Sequence, residues 1–77
     1  ALLRELKAAV DKAEVAIEQN EREMARLEAE LSRPETYNDL EAMRRLTESY
    51  QVEQDKTESL YEALEAAETA LSEASEN

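Results

Sequence analysis

In the first half of the chain, apolar positions recur in steps of three and four: Leu3, Leu6, Val10, Ala13, Ile17, then Asn20, then Met24, Leu27 and Leu31. Charged residues and alanines fill most of the gaps. An α-helix turns once in about 3.6 residues, so steps of this kind put every member on one face, the a/d seam of a coiled-coil strand. The second half repeats the series less cleanly, as Met43, Leu46, Tyr50, Glu53, Thr57, Leu60, Leu64, Ala67, Leu71 and Ala74. Numbered inward from the two ends, partner positions add to a nearly constant value. Leu31 then faces Met43, Leu27 faces Leu46, Met24 faces Tyr50, Ile17 faces Thr57, Val10 faces Leu64 and Leu3 faces Leu71. The pattern predicts an all-α fold, an antiparallel two-helix coiled-coil hairpin.

The boundaries follow from local chemistry. The first helix is predicted over residues 2–32, roughly 46 Å long at a rise of 1.5 Å per residue. Pro34 ends it, because proline has no amide donor and drives Arg33 out of the helical region. The turn spans residues 33–38. Asn38 is the expected cap of the second helix, with Glu41 three residues on completing a capping box. Tyr37 is expected to fold over the end of the seam near Leu31 and Leu40. The second helix is predicted over residues 39–74. Small residues (Ala9, Ala13, Ala16, Ala63, Ala67, Ala70) gather toward the open end and bulkier ones toward the turn, so buried area is low and stability marginal.

Asn20 is the polar member of the first seam, and the pairing sum sets it against Glu53 and Gln54. Two readings stand open. These three residues form a register layer, in which any slip strands a polar group; or they reach solvent past a thin seam.

Composition narrows the function classes. Seventy-seven residues make one small helical domain, and two helices build no deep core. The chain has no initiating Met and starts inside the heptad pattern, from which a piece of a longer protein is expected. No apolar run is long enough to cross a bilayer and no start resembles a signal peptide, so no membrane partner is expected. With no His and no Cys, imidazole, thiol and ordinary transition-metal chemistry are absent; with no Gly there is no phosphate-cradling loop. Carboxylates are plentiful, but acid–base catalysis needs them to converge in a dry cleft, which a convex helical pair does not offer. The expectation is a non-enzymatic piece with no catalytic, cofactor or metal site of its own.

The net charge of −11 opposes non-specific contact with nucleic acid, yet it is unevenly spread. Residues 22–48 hold five basic residues (Arg22, Arg26, Arg33, Arg44, Arg45) against seven acidic ones, and from Thr57 onward there is no basic residue. Arg22, Arg26 and Arg33 share the face away from the seam, and Arg44 and Arg45 point outward at the same end. They read either as a basic stripe for phosphate, with Tyr37 offering a ring at the tip, or as ordinary surface ion pairs. The pairs would be Glu18 with Arg22, Glu23 with Arg26, and Glu41 with Arg44 or Arg45. Leu2 and Val52 are stray outward apolar groups that leave room for a weak homodimer.

Three stretches carry a family resemblance: Arg26-Leu27-Glu28-Ala29-Glu30-Leu31, the reversal Ser32-Arg33-Pro34-Glu35-Thr36-Tyr37-Asn38-Asp39, and Leu60-Tyr61-Glu62-Ala63-Leu64-Glu65. In this order they resemble the C-terminal coiled-coil domain of the ABC-F ATPases, which are ABC transporter-like ATPases without a membrane domain. Leu64 stands where the family often has Trp, and Ser32-Arg33 stands where an acidic residue is usual. The resemblance implies a cytoplasmic parent protein with upstream nucleotide-binding domains, which would hold ATP and magnesium. It implies an arm that contacts the ribosome, nucleic acid or those ATPase domains. Other antiparallel arms are the alternatives: a tRNA-gripping arm of an aminoacyl-tRNA synthetase, which the acidic balance disfavours, or a structural oligomerisation coil.

Overall fold

A computed structural model describes residues 2–76. It contains α1 (Leu2–Leu31), the single turn α2 (Pro34–Tyr37) and α3 (Leu40–Ser75). The two long helices lie against each other as a rod 59 × 14 × 14 Å. Side-chain bonds between them show the antiparallel sense: Tyr61 reaches Glu21, Thr57 reaches Asn20 and Tyr50 reaches Glu28. Partners approach each other in sequence as the reversal nears.

The heptad seams are the packed faces. In α1, Ile17, Asn20 and Leu27 are buried, and Leu6, Val10, Ala13, Met24 and Leu31 are half-buried. All ten seam positions of α3, from Met43 to Ala74, are half-buried. Leu3 departs from the expectation at 44% exposure, because the open end of a two-helix rod has nothing to cover it. Leu27 is the one large side chain with no exposure among the described residues. Full burial of such a residue stabilises by about 1.5–3 kcal/mol, so a seam with so few buried members leaves individual polar bonds comparable in weight.

The reversal is more ordered than a plain turn. Arg33 is extended at φ −81°, ψ 136°, the conformation that a following proline imposes, and Pro34 opens α2 where its missing N–H costs nothing. The last carbonyls of α1 are used locally: the Ser32 N–H and hydroxyl both donate to the Glu28 carbonyl, at 3.1 and 2.9 Å. The Arg33 carbonyl accepts from Thr36 N and Tyr37 N, at 2.9 and 3.1 Å, which closes α2.

Two expectations about this region are corrected. Asp39, not Asn38, caps α3: its backbone is extended and its Oδ1 accepts from the Ala42 N–H at 3.2 Å. The Asn38 N–H is spent on the Pro34 carbonyl that ends α2, so the chain is not yet extended where a cap must be. Glu41 accordingly sits one residue short of the capping-box position. Nor does Tyr37 close the seam. It is 57% exposed and Leu40 is 73% exposed, while Thr36, at 7%, turns inward. The helical turn of α2 rotates Tyr37 outward and brings Thr36 under the end of the bundle.

Replacing Asp39 with Ala is expected to cost about 1 kcal/mol through loss of the cap, lowering the melting temperature seen by circular dichroism. Asn38→Ala is expected to have a smaller effect, and the reverse order would contradict this geometry.

Candidate functional site

At mid-rod the seam is polar. The Asn20 side chain donates through Nδ2 to the Glu53 carbonyl at 2.9 Å, and its Oδ1 accepts from the Thr57 hydroxyl at 3.0 Å. Asn20 is 4% exposed, so both of its polar atoms are satisfied inside the seam. The Thr57 hydroxyl also lies 3.3 Å from the Glu53 carbonyl of its own helix and 3.6 Å from Met24 Sδ. The inward pairing sum sets Asn20 against Glu53 and Gln54 and Thr57 against Ile17; the bond to the Glu53 carbonyl agrees with it, while the second partner of Asn20 is Thr57 and not Gln54. A seam residue enters a hole formed by residues on two successive turns of the facing helix, so Asn20 meets the Glu53 backbone and Thr57 one turn on. Gln54 points out and is exposed. Thr57 was legible as a second polar interruption of a seam, in the opposite helix.

The Glu53 side chain lies beside this layer, 15% exposed, with Lys56 Nζ 3.3 Å from its Oε2. Oε2 is buried and makes no hydrogen bond of good geometry, so charge attraction to Lys56 is what compensates it. A shallow groove here is lined by Ala16, Gln19, Asn20, Glu23, Glu53, Lys56 and Leu60.

The five arginines of residues 22–48 separate into two sets. Arg22 pairs with Glu18, Arg26 with Glu23 at 2.6 Å, and Arg33 with Glu30 at 3.2 Å and Glu35 at 3.6 Å. The Arg26 bond holds the Glu23 carboxyl below its ordinary range and raises Arg26 in turn. All three arginine side chains remain more than half exposed, and such surface pairs are weak and screened by salt. Arg44 and Arg45 behave differently. Both are exposed, and neither forms an ion pair with Glu41 or with any other described residue. The closed end therefore presents Tyr37 and Leu40 exposed beside two unengaged guanidinium groups.

Two tyrosines tie the helices together at the seam margin. Tyr50 donates to Glu28 Oε1 at 2.7 Å and Tyr61 to Glu21 Oε1 at 3.1 Å. Each bond holds the phenol proton, raising both groups above the ordinary value of 10.0. Sequence periodicity could place these rings near the seam but could not pick their partners, which depend on register. Among the described residues no group of three or more His, Cys, Asp or Glu is placed to hold a metal ion, and no helix is long and apolar enough to cross a membrane.

Replacing Asn20 with Leu is expected to raise the melting temperature while broadening register or oligomeric state. Thr57 keeps an acceptor in its own helix, and the Leu fills the seam with apolar volume. Asn20→Ala leaves a gap and is expected to lower stability by about 1–2 kcal/mol. A monomeric, strongly destabilised Leu variant would show instead that the hydrogen bonds outweigh the added burial.

Compared with family models, with curated proteins and with solved structures, the chain matches none.

Proposed function

We propose that this hairpin is a non-catalytic coiled-coil arm of an ABC-F-type ATPase, and that its closed end is the contacting end, touching the ribosome or another phosphate-bearing nucleic acid. The observation that carries the contact is the pair Arg44 and Arg45, exposed and without partners beside exposed Tyr37 and Leu40. Elsewhere the rod is too acidic to approach phosphate: from Thr57 onward it carries no basic residue. The shape supports an appendage, since a rod 59 Å long and 14 Å wide reaches outward and its grooves are shallow. The assignment to an ABC-F parent rests on the motifs around Pro34–Asn38 and Leu60–Glu65 alone. ATP and magnesium would act in the parent's upstream domains, and a Walker A motif and an ABC signature encoded upstream are what the reading requires.

Arg22, Arg26 and Arg33 are engaged by their own glutamates, so they supply less to such a contact than Arg44 and Arg45. The test is binding of purified ribosomes, and of a short RNA hairpin, at rising salt. Retention is expected at low salt and is expected to fade as salt rises, because phosphate contacts gain their affinity from released counterions, which added salt opposes, and a weak contact of this kind has little other affinity to lose. Arg44→Glu/Arg45→Glu is expected to abolish it, and Lys7→Glu/Lys12→Glu to leave it. Binding that survives high salt, or that depends on the Lys7 end, would overturn the proposal.

A further inference from the structure

The two sides of the rod differ in a way the contact at the closed end does not use. The groove over the polar layer contains Lys56, which offsets Glu53 and Glu23. A groove on the other margin, about 290 Å³ in volume, is lined by Ile17, Leu64 and Tyr61 together with Glu14, Glu18 and Glu21. No base lies in it. Its floor is the apolar seam, and the Tyr61 ring, 48% exposed, is held at its edge by the bond to Glu21.

The rim of this groove is acidic on both helices. Glu14, Glu18 and Glu21 follow at steps of four and three, which places them on one stripe of α1. Glu58, Tyr61, Glu65 and Glu68 follow at steps of three, four and three, which places them on one stripe of α3. Glu14, Glu58, Glu65 and Glu68 have no ion-pair or hydrogen-bond partner among the described residues. Glu18 is paired with Arg22 and Glu21 accepts from Tyr61, so the free carboxylates of this margin are those four. A partly apolar trough between two helices, flanked by these four, matches the acceptor side of helix-in-groove recognition. In such assemblies the residues flanking the seam choose the partner by charge.

We propose that this margin of the hairpin docks an amphipathic helix whose apolar ridge is flanked by lysine and arginine, completing a three-helix arrangement. The ridge covers Leu64 and the Tyr61 ring, above Ile17, which the seam already buries. A cation from its flank lies over the ring face, where the aromatic quadrupole attracts it, and others meet Glu14 and Glu65. The same margin of a second copy is disfavoured as occupant, since like acidic margins repel. The surface lies on the acidic stretch of the rod, apart from Arg44 and Arg45, so its test stands apart from that of the closed end.

The test uses the whole chain, labelled for NMR, titrated with a three-heptad peptide that has a leucine seam flanked by lysine and arginine. An otherwise identical peptide flanked by glutamate serves as comparison. Saturable one-to-one binding is expected, with the largest shifts at Glu14, Tyr61 and Leu64, and none with the acidic peptide. Glu14→Gln/Glu65→Gln and Tyr61→Ala are each expected to weaken binding by about tenfold, the weight of one or two good contacts. Glu48→Gln/Glu62→Gln removes the same charge from the outer face of α3 and is expected to change affinity by less than about twofold. All of these positions but Leu64, which is left unaltered, are exposed, and circular dichroism checks that each variant keeps the fold. Equal losses in the two double variants, shifts spread evenly over the acidic surface, binding of the acidic peptide, or no binding at all would each overturn the proposal.

Discussion

A hairpin of two helices buries one stripe of each, so its geometry rests on whatever fixes the register of those stripes. Here that is the layer in which Asn20 spans from the Glu53 carbonyl to the Thr57 hydroxyl. Ile17 and Leu27 are the buried apolar residues of the described chain, and they lie on either side of Asn20 along α1. Leucines and alanines slide past one another at small cost. A buried amide does not, because any slip takes it from both partners and leaves it desolvated. The tyrosine bonds to Glu28 and Glu21 then follow as consequences of the register, one toward the turn and one toward the open end.

The distribution of charge acts on top of that frame. Glutamates spaced three or four residues from Arg22, Arg26 and Arg33 neutralise one outer face by pairs internal to each helix or to the reversal. Among the described residues, the cations without an ion-pair partner are Arg44 and Arg45 near the turn and Arg4, Lys7 and Lys12 toward the open end, while carboxylates without one include Glu14, Glu58, Glu65 and Glu68 along the Tyr61 margin.

Much of this was legible in the sequence, and the reasons differ by feature. The helices and their seams come from a seven-residue period sustained over both halves, a signal that local irregularity does not erase; hence the ranges Leu2–Leu31 and Leu40–Ser75 differ by about one residue from expectation. Intrahelical pairs such as Glu23 with Arg26 were legible because spacing within one helix is rigid. Contacts between helices were legible in part: counting inward set Asn20 level with Glu53, whose carbonyl it meets, but missed Thr57, since a seam position enters a hole between residues of two turns and not a single partner. At the turn, one residue of error follows from α2. Folding Pro34–Tyr37 into a helical turn delays the extended cap from Asn38 to Asp39 and exchanges Tyr37 for Thr36 at the interior. Competition between a turn and a single-turn helix is decided by hydrogen bonds too local for a periodicity to register.

The central claim is one register within one chain, and the most direct measurement is the distance between spin labels at Ala9 and Ala70, on flanking positions near the open end. In dilute solution a short and narrow distance distribution is predicted, unchanged when labelled chains are mixed with excess unlabelled ones. A long distance, a distribution split between two registers, or a short distance that is lost on such mixing would contradict the account.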